Sequence, residues 1–140
     1  MSGENHNMEA RFGPAGNAIA FSQQYKSSLD APAWIAGLGL DCYEYQCGKG
    51  VHVGQVTAEK LGERARQAGI ALSLHAPYFI SLSNPDPEMR RKTVGYITTS
   101  CLAARWMGAT RVVIHTGALL KRTRRQALDI AKETLRQAMT

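Results

Sequence analysis

Strand-like apolar runs recur near residues 12, 43, 73 and 113, and each is followed by a stretch with helical periodicity. A strand, helix, strand cadence of 30 to 40 residues predicts a parallel α/β sheet with helices packed on it. Four such units are half of a (β/α)₈ barrel, and a whole barrel takes about 250 residues. At 140 residues the chain has two readings. It is an open four-stranded sheet of its own, or the amino-terminal half of a TIM-type fold twice as long, and no internal repeat decides between them.

The first run, Arg11-Phe12-Gly13-Pro14-Ala15-Gly16, reads as a very short strand, because Gly-Pro and the next Gly interrupt regular pairing. A weakly signalled helix follows it. A second short helix is expected from Asp30 to Gly37, with Asp30 as cap, Pro32 in the first turn and Trp34, Ile35 and Leu38 on its apolar side. Leu40 to Gln46 has the aromatic content of a strand, and Thr57 is the expected cap of a helix that runs through Ala68. Gly69 stands where a left-handed residue ends that helix before the strand at Ile70-Ala71-Leu72.

The longest helix is expected from Asp86-Pro87 to Met107, with Gly108 behind it and Val94, Ile97, Cys101 and Ala104 as its core stripe. A strand from Arg111 to His115 comes next. Thr123-Arg124-Arg125-Gln126 is a capping box that leads a last helix with Leu128, Ala131 and Leu135 on its apolar side. Trp34 and Trp106 are assigned to the core.

The chain is 44% hydrophobic and 20% charged, ordinary for a soluble globular domain, and no run approaches the roughly 18 apolar residues of a spanning helix. The polar opening is unlike a signal peptide, so the expected location is the cytoplasm. Cys42, Cys47 and Cys101 form neither a CxxC pair nor a disulfide scaffold and read as reduced, buried thiols. The formal charge of +6 favours an anionic partner such as nucleic acid or a phosphorylated small molecule.

His75 and His115 each close an apolar run and stand forty residues apart. A strand that ends in His places an imidazole at the carboxyl end of a parallel sheet, where α/β proteins collect ligands and catalytic groups. A single strand-end His is ordinarily a hydrogen-bonded core residue. Two at the same topological position point to a metal site. Glu44, near the end of the second strand, is a candidate pocket residue, with a salt bridge or metal ligation as its alternatives. His6 and His52 have no such setting and are taken as solvated.

The loop His75-Ala76-Pro77-Tyr78-Phe79-Ile80-Ser81-Leu82 is unusually aromatic and apolar. Together with the Leu72-Ser73-Leu74 before it, it resembles the segment after strand three of the endonuclease IV family of apurinic/apyrimidinic endonucleases, which are xylose-isomerase-like barrels. The resemblance continues through Arg90-Arg91-Lys92-Thr93-Val94-Gly95-Tyr96-Ile97, Ala103-Ala104-Arg105-Trp106-Met107-Gly108-Ala109 and Arg111-Val112-Val113-Ile114-His115-Thr116-Gly117. It also takes in Phe12-Gly13-Pro14-Ala15-Gly16 and Tyr43-Glu44-Tyr45-Gln46-Cys47-Gly48. It covers the chain from about Met8 on, so Met8 is an alternative start, residues 1–7 a disordered polar extension and residues 8–140 the half-barrel domain.

The resemblance implies three zinc ions, with His75 and His115 as two ligands of one, and cleavage of the DNA phosphodiester on the 5′ side of an abasic nucleotide in base excision repair. Tyr78 falls where the family places an aromatic side chain in the DNA interface. Thr116 stands where the family usually has Pro. The remaining ligands, including a bridging glutamate, belong to strands five to eight.

Two imidazoles alone fall short of the three protein ligands of a catalytic zinc. The expectation is therefore a chain inactive by itself, completed by a carboxyl-terminal half or paired as a homodimer of half-barrels, with double-stranded abasic DNA as partner. Arg90, Arg91 and Lys92 open the long helix, and Lys121, Arg122, Arg124 and Arg125 flank the start of the last. Cations there oppose the helix dipole, which leaves phosphate contact as one reason for them and a merely solvated basic face as the other. Two other functions compete: a sugar isomerase or epimerase of the same barrel superfamily, and a truncated, non-catalytic domain.

Overall fold

The computed structural model describes residues 10–140, so the polar extension expected over residues 1–7, and His6 in it, lie outside the described residues. Three strands form one parallel sheet in the order β1 (Cys42–Gln46), β2 (Ala71–His75), β3 (Val112–Val113). The register sets Cys42 beside Ala71 and Gln46 beside His75, and then Leu74 beside Val112. Among the described residues five α-helices accompany it, α1 (Ile19–Gln24), α2 (Ala31–Gly37), α3 (Gln55–Gln67), α4 (Pro87–Met107) and α5 (Arg124–Ala138); α2, α3 and α4 pack on the sheet and α5 on α4.

The expected first strand forms only a single parallel bridge, Ala15 to Glu44. The Glu44 amide donates to the Pro14 carbonyl at 3.1 Å and the Gly16 amide to the Glu44 carbonyl at 2.9 Å. Pro14 has no N–H to continue the ladder. The segment thus occupies the position of a fourth strand without its full pairing, and Phe12 is exposed.

Alternate residues of the sheet face opposite ways. Tyr43, Leu72 and Leu74 are buried under the helices with Ile35, Leu61 and Met107. Glu44, Ser73, His75 and Val113 alternate with them onto the other face, which stays partly open. This is the half-barrel that the cadence predicts, with helices outside and a partly open concave side.

Helix ends follow local chemistry where a cap exists. The Asp86 carboxylate accepts the Glu88 amide at 2.8 Å, Gly108 closes α4 in a left-handed conformation (φ 68°), and Thr123 and Gln126 make the full capping box of α5. Two expected caps are absent. Asp30 gives its side chain to Arg64, at 2.9 Å, while Ser27 caps a 3₁₀ turn at Ser28–Asp30. α3 starts two residues before Thr57, at Gln55 behind Gly54.

The buried faces of α4 and α5 match expectation in part: Ile97 and Ala104 are buried and Val94 and Ala131 half-buried as expected, but the other expected positions are not. In α4 the buried positions are Thr93, Ile97, Ser100, Ala103, Ala104 and Met107, while Cys101 is exposed. In α5 they are Ala127 and Thr134, and Leu128 and Leu135 are exposed. Trp34 and Trp106 are partly buried against the core. Among the thiols only Cys47 is buried, and burial pushes it up to about 11. His52 is exposed. Among the described residues, no helix is long and apolar enough to cross a membrane.

Candidate metal centre

β2 ends on His75, whose backbone is held on both sides: its carbonyl accepts the Cys47 amide at 3.0 Å, and the next amide, Ala76, donates to the Val113 carbonyl at 2.9 Å. His115 lies two residues beyond β3, since that strand stops at Val113 and not at His115 as the apolar run predicts. The two rings nevertheless meet, with centroids 4.9 Å apart and planes at 85°. Neighbouring parallel strands bring their ends to one rim, and the sequence separation of forty residues vanishes there.

His75 Nδ1 lies 2.8 Å from the Ala76 carbonyl oxygen. A carbonyl only accepts, so Nδ1 carries the proton, and in the neutral ring the lone pair is then on Nε2. This is the arrangement in which an imidazole binds a metal ion while its other nitrogen fixes ring and tautomer. The donors suit zinc in type. Among the described residues, however, no third His, Cys, Asp or Glu joins them.

Glu44 lies on the same face of the sheet but in the middle of β1, opposite Ser73 and a layer below His75. Its carboxylate accepts the Gln46 side-chain amide at 2.8 Å. It is a polar residue of the open face, held by a neighbour.

The loops after β2 and β3 are tied together beside the histidines. Ser83 Oγ donates to the Ala118 carbonyl at 2.8 Å, and Gly117 (φ 92°) sits where a Cβ would come within 2.6 Å of Ser81 Oγ. Both the left-handed backbone and the lack of space require glycine. Ser81 and Ser83 have no signature in sequence spacing, and only the fold shows their part. Tyr78, Ile80, Ile114, His115, Thr116 and Gly117 line one recess, so Tyr78 and the second histidine border the same space.

The basic residues divide. Arg91, Lys92 and Lys121 are exposed. Arg90 is turned back on its own loop, donating to the carbonyls of Asn84 at 2.8 Å and Pro85 at 2.9 Å. Arg122 reaches inward to the Ser83 carbonyl, which fastens the last loop to the one after β2. Leu120 and Lys121 precede it with φ of 48° and 63°, an uncommon conformation for side-chain-bearing residues that turns the chain sharply into α5.

The sequence pattern of the xylose isomerase-like TIM barrel family matches residues 32–140. A probable endonuclease 4 of Acholeplasma laidlawii (strain PG-8A) is 36% identical over 75 residues, which cover 51% of this chain and 26% of that protein. Among solved structures, endonuclease IV from Thermus thermophilus superposes with a TM-score of 0.67 at 20% identity, over 94% of this chain and 48% of that one. D-psicose 3-epimerase from Clostridium cellulolyticum H10 gives 0.66 at 17% identity, over 82% and 43%. The two superpositions share the fold, and in both this chain spans less than half of the solved barrel. The parallel βα units, the open concave face and the family pattern agree: the chain belongs to the xylose isomerase-like TIM barrel family and folds as half of its barrel.

Proposed function

We propose that residues 8–140 are the amino-terminal half-barrel of an endonuclease IV-like, zinc-dependent phosphodiesterase that cleaves DNA 5′ to abasic sites. The observation that carries this reading is the facing pair His75 and His115, with Nδ1 of His75 held at the Ala76 carbonyl and an exposed aromatic residue, Tyr78, on the recess that His115 lines. The relatives named endonuclease 4 support the same class.

When bound, zinc supplies a hydroxide nucleophile at neutral pH and neutralises charge on the attacked phosphate. The chain's part is to hold two ligand nitrogens at the rim, to present Tyr78 beside them, and to attract phosphates through Arg91, Lys92 and Lys121. Arg90 and Arg122 act by fixing the loops. Two imidazoles leave the ligand set incomplete, so cleavage requires a carboxyl-terminal half or a second copy to complete the mouth. The exposed rings and cations suit a DNA strand better than a small polyol, which a sugar isomerase would enclose among converging polar groups.

The test is zinc content and binding to duplex DNA with one abasic site, for the parent chain and for His75→Ala/His115→Ala. The expected outcome is zinc that disappears in the double variant, preference for the abasic duplex, and no strand nicking by the chain alone. Zinc retained by the double variant, or equal affinity for intact and abasic duplex, overturns the reading.

A further inference from the structure

The aromatic surface does not end at Tyr78. Phe79 is the hub of a three-ring ladder: its ring meets Tyr78 at 5.7 Å and 73°, and Tyr96 of α4 at 4.8 Å and 75°. These are edge-to-face contacts, so each ring fixes the next. The three remain 57%, 41% and 39% exposed in the order Tyr78, Phe79, Tyr96. The patch is continuous with the recess of His115, through Tyr78.

Charge lies along the same line. Lys92 precedes Tyr96 by one helical turn and shares its side of α4. Its carboxylate neighbour, Glu88, is 3.7 Å away, and both side chains are more than half exposed, a pairing too weak to hold the ammonium from a phosphate. Exposed aromatic rings interleaved with cations are the combination that holds a nucleic-acid strand, rings for base faces and ammonium groups for the backbone.

We propose that Phe79 and Tyr96 form a second stacking surface for bases flanking the abasic nucleotide, with Lys92 on an adjacent phosphate, so that the bound strand leaves the histidine rim across α4. The proposal rests on the nucleic-acid reading above and extends it to a helix outside the histidine-bearing loops. Tyr96 has a double part: it offers a ring to the strand and sets the orientation of Phe79.

The experiment is fluorescence anisotropy with a labelled duplex carrying one tetrahydrofuran abasic analogue, titrated with the full chain at several salt concentrations. Tyr96→Ala is expected to weaken binding about 5- to 150-fold, the loss of one stacked base, with the salt slope unchanged. Tyr96→Phe retains parental affinity, and Tyr96→Leu, which keeps apolar contact with Phe79, falls between. Lys92→Gln lowers the slope of log affinity against log salt by about one. Thermal unfolding confirms that the variants are folded. Binding by the parent with Tyr96→Ala within twofold of it overturns this inference alone, as does a Tyr96→Phe variant as weak as Tyr96→Ala. No binding by the parent overturns the nucleic-acid reading together with it.

Discussion

Local chemistry decides the residue scale. His75 is readable in the sequence because an apolar run that stops on a polar residue marks a strand end, and β2 does end there. His115 is readable for the same reason, although its strand ends two residues sooner. The inward turn of Arg90 and Arg122 is not readable. Nothing in a basic tripeptide says whether a guanidinium meets solvent or a carbonyl of its own loop. Tyr43 carries a prediction at this scale. It is buried, its hydroxyl donates to Asn17 Oδ1 at 2.7 Å, and burial pushes its ionisation from 10.0 up to about 12. The folded chain keeps the proton that the unfolded chain releases above pH 10, so the unfolded state binds fewer protons and stability falls as pH rises from about 10 towards 12. Urea unfolding between about pH 9 and about pH 11.5 should show that fall, and Tyr43→Phe should reduce it. An equally steep fall in Tyr43→Phe assigns it to another group.

Elements are legible in kind and start more than in the face they bury. Caps act within one turn, and Asp86 and Thr123 therefore announce α4 and α5 correctly. The buried faces differ in part from expectation because apolar periodicity follows the larger side chains, whereas beside Ile97 and Met107 these helices pack through small residues such as Ser100, Ala103, Ala127 and Thr134. Ser100 Oγ donates to the Tyr96 carbonyl at 2.8 Å and Thr134 Oγ1 to the Ile130 carbonyl at 2.9 Å, so both hydroxyls are buried without an orphaned donor. Gly62 shows how close the helices come. A Cβ on this α3 residue would lie 2.4 Å from the Met107 carbonyl oxygen, which is backbone and cannot swing away. Gly62→Ala replaces a poor helix former by the best one, worth about 1 kcal/mol in isolation. Overpacking costs about 1–3 kcal/mol and outweighs that gain. The expected result is a net lower urea midpoint, while Gly95→Ala in α4, where a Cβ meets nothing within 4 Å, raises it. A Gly62→Ala chain at least as stable as its parent contradicts the close α3–α4 contact.

At the scale of the whole molecule, the cadence of βα units sets the fold class, and the count of units sets how much of a barrel can form. A closed barrel packs its inward side chains in layers, and here that interior face carries Glu44, Ser73 and His75, which are half-buried, and Val113, which is exposed. Among the described residues β3 pairs on one side only, and the Phe12–Ala15 segment at the other edge makes a single bridge. Free sheet edges and an uncovered apolar residue both favour association. Val113 is central to both, since it belongs to the edge strand and to the open face. The 15.3 kDa chain is therefore expected to show a weight-average mass in light scattering that rises with concentration. Val113→Lys places a charge on edge and face together and should hold the mass at the monomer value. Because Val113 is 39% exposed in the single chain, the substitution should change the stability of the monomer little. Two copies related by a two-fold axis along the barrel would set β3 of each beside the Phe12–Ala15 segment of the other, with all strands parallel, and would gather four imidazoles at one mouth. That arrangement predicts more zinc per chain in the associated fraction than in the monomer. A chain monomeric at every concentration leaves a carboxyl-terminal half as the means of completing the site.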